Sequence, residues 1–324
     1  MTLGTGYDNL AYRLYTRIEN LRRKLTTSPQ IMADSPPFKK RKMVIDSYGC
    51  VAWSIPLPEG VTNDELISKK EVLQKCLDSD IDRTITLLKE TYYLQRAAIN
   101  QGAASIGELL KDWPILFTER GIAAHFEILT NINLFEMLES TVMLKSKTLF
   151  SFFRSSGQKE VKVFMSETDL MNNPNQLLLL VLVLGKSFNE STDSVFFTDE
   201  VFNPHNLQHL PKHPCLVGKG TSILRCDEFF LVMDGIAVNT GIKDATVAVA
   251  AWFASFYVFN YLYPLEYSCT LEFFQRCFVG INPISGSKVE RKKGKKLYKG
   301  IHPKILNLLK KLKIFDSWVT DCRS

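Results

Sequence analysis

His205, His209, His213 and Cys215 lie within eleven residues and include three of the five histidines in the chain. Imidazole and thiolate are zinc ligands, and an i,i+4 spacing sets two histidines on one face of a helix. Pro204, Pro211 and Pro214 interrupt the segment, however, and no glutamate pattern of a metal enzyme accompanies it. A surface loop that collects histidines is therefore the competing reading. A metal-dependent enzyme would use these four residues. No catalytic residue is assigned elsewhere, and no cofactor is implied. Gly185-Lys186-Ser187 follows an apolar run, as a phosphate loop would, but Leu180 stands where the first glycine belongs. Gly218-Lys219-Gly220-Thr221 fails in the same way, with His213 at that position, so both read as turns. His125, in a segment with helical period, reads as a packed or half-exposed histidine and not a catalyst.

The other chemistry-bearing residues are cations. Lys39, Lys40, Arg41 and Lys42 follow a double proline. Four adjacent cations cannot pack in a core, so they are solvated or held by an acidic receptor such as a nuclear-import receptor. Arg13, Arg17, Arg22 and Arg23 lie between apolar residues spaced as in a helix, and Arg291, Lys292, Lys293, Lys295 and Lys296 form a second run. These could contact phosphate by counterion release. No zinc finger, RNP signature or helix-turn-helix accompanies them, so nucleic-acid contact would be sequence-independent.

The elements that must position these residues divide the chain. Residues 1–26 read as a basic amphipathic helix and 27–46 as a flexible linker with the basic cluster. In 47–156, an all-α unit is expected. Capping boxes at Thr62 with Glu65 and Ser105 with Glu108 open helices, Pro114 stops one, and further helices cover 81–100, 121–131 and 134–153. Residues 157–284 read as α+β. Glu160–Phe164 alternates, Leu177–Leu184 is a buried strand or short helix, and short β segments run through 215–217, 222–224, 228–232 and 236–238. Asp234-Gly235 between apolar runs predicts a hairpin. Helices at 244–260 and 268–279 follow. In 285–324, a basic segment precedes an amphipathic helix from Pro303, with Ile305, Leu308, Leu309, Leu312 and Phe315 on one face. The fold class is thus mainly α with a smaller α+β part.

Charge is segregated along this order: residues 1–45 carry a net +6, 46–285 a net −9 and 286–324 a net +9. Basic ends flanking an acidic body meet an anionic partner, fold back on that body, or are simply solvated. The helix from Pro303 could bind an anionic membrane surface or a helix-groove partner, or pack on its own domain. Seven cysteines without CxxC spacing, and no secretory signal, predict reduced thiols in a nuclear or cytosolic protein. Ala245–Phe259 is fifteen residues long, short of the ~20 that span a bilayer. A buried core helix is expected there, against the alternative of a membrane-associated protein.

Several stretches resemble a known family. They are Gly4-Thr5-Gly6-Tyr7-Asp8 leading into Arg22-Arg23-Lys24-Leu25, Tyr48-Gly49-Cys50 with Leu57-Pro58-Glu59-Gly60, and Trp113-Pro114 through Arg120. Phe230 through Asp234-Gly235 and Tyr257 through Pro264 complete the set. Together they resemble the region downstream of the sterile alpha motif in the sterile alpha motif domain-containing protein 3-like family, over roughly residues 4–283. The motif domain itself, a small helical association module, is expected to be absent, so partner binding through it is not carried over. The resemblance implies an intracellular protein and places no enzyme activity on any residue. The expectation is a non-enzymatic interaction or regulatory protein in the nucleus, or alternatively the cytoplasm. It would engage protein partners and, through its basic ends, nucleic acid, with no membrane expected.

Overall fold

The computed structural model describes residues 57, 59–75, 81–100, 104–166, 168, 173–283, 288–289 and 301–315. The expected basic helix of residues 7–25, the Lys39–Lys42 cluster, the entry at Tyr48 and the Arg291–Lys296 run lie outside the described residues. The fold is mainly α, with a smaller α+β part built on one four-stranded sheet.

The helices begin where the side chains can satisfy their first N–H groups. Helix α1 (Asn63–Lys75) starts at Thr62, whose Oγ1 accepts from Glu65 N at 3.2 Å. Its buried side, Leu66 and Leu73, faces the core. The continuous helix expected over 81–100 is instead two, α2 (Ile81–Glu90) and α3 (Tyr92–Asn100). Thr91 lies between them, buried, and its hydroxyl donates to Leu87 O at 2.7 Å. Such back-bonding competes with the helical ladder and bends it. Helix α4 (Ile106–Asp112) has a complete capping box: Glu108 N donates to Ser105 Oγ, and Ser105 N to Glu108 Oε2. Pro114 turns the chain into a short 3₁₀ segment, after which Thr118 caps α5 (Glu119–Thr130). Gly121 is required here, because a Cβ would sit 1.8 Å from the Ile115 carbonyl oxygen. Helix α6 (Leu134–Ser155) is the longest described.

Residues 159–166 depart from expectation. They form helix α7 (Lys159–Ser166), not a strand. Val161 and Met165, four apart, are buried while Val163 is exposed, so the period is helical. Leu177–Leu184 lies within α8 (Gln176–Phe188), fully buried along that apolar run. The 222–224 segment, expected as a strand, is a 3₁₀ turn at Ile223–Arg225.

The sheet runs in the order β1 (Phe196–Asp199), β2 (Cys215–Lys219), β3 (Phe229–Met233), β4 (Ile236–Ala237). Strands β1 and β2 are parallel and the others antiparallel. Asp234 and Gly235, with φ of 50° and 72°, make the tight β3–β4 turn. The two faces separate by residue parity. Leu216, Phe229, Leu231 and Met233 face the main core, while Cys215, Val217, Phe230 and Val232 face a smaller cluster with Leu207 and Leu210.

Helix α9 (Ala245–Val258) runs through the middle of the molecule and packs on α5, α6, α8, β2 and β3. It is apolar on all sides, as a helix surrounded by protein must be. Asp244 Oδ1 caps its start by accepting from Thr246 N and Val247 N. Arg96, itself buried, donates from Nη1 to Val258 O at 2.7 Å near its end. Among the described residues no helix is long and apolar enough to cross a membrane. Helices α10 (Ser268–Cys277) and α11 (Pro303–Ile314) close the far side. Lys288, within the basic segment before α11, is buried, with its Nζ 4.8 Å from the centre of the Tyr257 ring. One continuous cluster of buried side chains links Leu73 near the start to Leu312 near the end.

Candidate interaction groove

Helix α11 contains four lysines and no acidic residue. Its apolar stripe matches the expected face in part: Ile305, Leu308 and Leu312 are buried, Leu309 and Phe315 half-buried. Packing on its own domain is thus the outcome for that face. The rings of Phe315 and Phe152 of α6 meet edge to face, with centroids 5.5 Å apart. His302 caps the helix, its Nδ1 accepting from Lys304 N at 3.2 Å. Pro303 follows at the first helical position, where its missing N–H is no loss.

A second stripe of α11 remains open. Lys304, Asn307, Lys311 and Ile314, spaced three, four and three apart, border a groove of about 560 Å³. The facing wall is the α6–α7 turn, Ser155 through Gln158, with Phe152 behind it. Ser187, Phe188 and Asn189 at the C-terminus of α8 line it as well. Gln158 Nε2 donates to Ser187 O at 3.1 Å and ties these two walls together. Lys304 Nζ donates to Phe188 O at 2.5 Å, placing a cation on the negative end of the α8 dipole. Among the described residues no carboxylate borders the groove. Its chemistry is an apolar floor beneath a cationic rim, and Ile314, 83% exposed, stands at that rim.

Beneath α11 lies a contact that the sequence reading did not bring together. Cys269 Sγ is 3.4 Å from His302 Nδ1. Burial, with the Glu190 carboxylate adding to it, pushes the Cys269 thiol up to about 12, so the sulfur keeps its proton at neutral pH. Glu190 itself caps α10, accepting from Cys269 N at 2.7 Å and from both Thr270 N and Oγ1.

The candidate metal residues take separate places. His205 and His209 are exposed in a turn, the proline-broken segment forming no helix. His213 Nε2 pairs with Ser194 O at 2.8 Å, and the Cys215 thiol is buried in the outer sheet cluster, pushed up by burial to about 12. Among the described residues no three His, Cys, Asp or Glu side chains come close enough to hold a metal. Leu207 and Leu210 anchor this loop over the outer face of the sheet, which is its packing role. Gly185-Lys186-Ser187 is the last turn of α8, not a loop, and Gly185 lets the Tyr267 ring approach where a Cβ would meet it at 2.8 Å. Gly218 likewise admits Cys226.

Of the two expected placements of His125, packed or half-exposed, the structure has the first: it is fully buried. Its Nδ1 pairs with Gln95 Oε1 at 2.8 Å, and the Gln95 amide donates to Leu88 O and Thr91 Oγ1. Burial, then the nearby Arg96 charge, holds its pKa well below the usual imidazole range. It is a neutral structural histidine at physiological pH.

Residues 62–118 match the model of a family described as sterile alpha motif domain-containing protein 3, helical domain. The match covers α1 to α4 and the Pro114–Phe117 turn, and stops before the residues that form the groove. Neither a curated protein nor a solved structure is matched by the chain.

Proposed function

We propose that this chain, assigned to the sterile alpha motif domain-containing protein 3-like family through residues 62–118, is a non-enzymatic interaction and regulatory protein that engages a protein partner through the α11 groove. One observation carries the reading: an open groove with an apolar floor, a lysine rim and, among the described residues, no carboxylate, on a helix whose other face is already committed to the core. Desolvated apolar contacts supply affinity in such a groove, and rim charges supply orientation and rate.

The compartment and the basic ends belong to the same proposal. Lys39, Lys40, Arg41 and Lys42 act as a nuclear address read by an import receptor. Arg13, Arg17, Arg22 and Arg23, with Arg291, Lys292, Lys293, Lys295 and Lys296, add salt-sensitive nucleic-acid contact without sequence readout. What supports this is the segregation of charge, +6 and +9 at the ends against −9 between them.

The test of the groove is site-specific photo-crosslinking in cells, with the photoreactive residue placed at Asn307 in one variant and at the exposed Thr86 of α2 in another. A protein adduct specific to position 307 is expected. Equal adducts at both positions, or none at 307, would overturn the reading.

A further inference from the structure

We infer that the occupant of the α11 groove is an acidic amphipathic helix of a partner protein. The inference rests on the interaction reading above and adds the chemistry of the partner.

Three features of the groove select that occupant. The first is its dimension: Lys304 to Ile314 spans ten steps of α11, about 15 Å at the helical rise of roughly 1.5 Å per residue, enough to lie along about three turns of a second helix. The second is its floor, where Phe152, Phe188 and Leu308 supply the apolar lining that the apolar face of a helix would cover. The third is charge. Lys304 and Lys311 border the groove, and among the described residues that line it none is acidic. A basic or neutral segment would leave the rim unmatched, whereas a helix carrying Asp or Glu beside its apolar face is complementary along the whole length. Ile314, exposed at the rim, gives such a helix an apolar anchor at its end.

The experiment uses the full chain and a fluorescent synthetic peptide helix of about three turns, with Leu at every third or fourth position and Glu between. Controls are the same composition with its Leu residues scattered round the helix, and a Lys-for-Glu version. Binding is read by anisotropy against wild type, Lys311→Glu and Ile314→Asp. Both substituted residues are exposed, and unchanged circular dichroism and melting serve as the folding check. The expected result is binding of the patterned acidic peptide only, weakened about tenfold by each substitution and further by salt. Equal binding of the scattered peptide, or insensitivity to both substitutions, would overturn the inference. So would a Lys311-dependent preference for anionic vesicles or duplex DNA over the peptide. Self-association that is lost in Lys311→Glu and not displaced by the peptide would overturn it in favour of a second copy. An adduct at position 307 without acidic-helix binding would sink the inference and leave the interaction reading standing. Absence of both would sink the reading itself.

Discussion

Glu190 and Thr270 are eighty residues apart in sequence, yet the Glu190 carboxylate accepts from both the backbone N of Thr270, at 2.9 Å, and its hydroxyl, at 2.7 Å. A helix commonly starts with its own side-chain cap; no side chain of Tyr267, the residue before α10, performs this role. The cap is imported from the segment after α8 and fixes α10 against it.

Replacing Glu190 by Ala should therefore destabilise the protein by about 1–3 kcal/mol, the range for leaving buried donors without an acceptor. Glu190→Gln keeps an acceptor oxygen and should recover part of that loss. Urea unfolding with unchanged m-value is the measurement; an Ala variant as stable as wild type would remove Glu190 from this role.

His125 makes the fold sensitive to acid. Its pKa in the folded protein lies below that of an unfolded-chain histidine, about 6.5, so between the two values the unfolded state binds the extra proton. Stability is then fully present above about pH 6.5 and falls as pH drops below it. In His125→Asn this acid-side slope should flatten, although the variant starts lower by about 1–3 kcal/mol because the Gln95 pairing is remade imperfectly. Stability measured at pH 8, 6.5 and 5.5 for both proteins decides it. Parallel slopes would refute the assignment.

Gly121→Ala should cost about 1–3 kcal/mol, because the new methyl meets a backbone carbonyl that only moves with the whole 3₁₀ turn before α5. Gly157→Ala, where a Cβ meets nothing within 4 Å, is the internal comparison. Thermal melts of the pair should separate clearly, and equal melting temperatures would contradict the close approach.

Cys215 and Cys269 should resist alkylation in the native protein at pH 8, since both thiols are buried and raised to about 12. Half-buried Cys277 should react first among the four described cysteines. Peptide mapping after a short iodoacetamide pulse reads this directly, and rapid labelling of Cys269 would mean that α11 leaves its seat.

Much of the fold was legible from local signals. The Ser105–Glu108 capping box, the Asp234-Gly235 hairpin, the buried helix at 245–258 and the inward face of α11 are each written within a few consecutive residues, and each formed. The failures share a cause. A five-residue window such as Glu160–Phe164 fits a period of two and a period near four, and only the neighbours of Val161 and Met165 decide between them. Thr91 breaks a helix through a hydroxyl contact that composition does not advertise. The groove was half visible: the amphipathic helix from Pro303 was expected, but the groove's other walls come from residues 152–158 and 187–189, which no spacing rule connects to residue 304. The Cys269–His302 contact was hidden for the same reason. The histidines of 205–213 drew attention by residue type, whereas the leucines between them do the anchoring.

The central position of α9 bears on how the protein is made. Its partners α5, α6 and α8 all precede it in the chain, and α10 with α11 follow. A nascent chain that has emerged only as far as residue 244 holds the walls of the core without the helix that fills it. The apolar faces of α5, α6 and α8 then wait, uncovered, until the ribosome delivers residues 245–258. At about 5–20 residues per second that wait lasts seconds, long enough for holding chaperones to bind. Delivery of residues 245–258 is thus the step at which the core gains the helix that fills it.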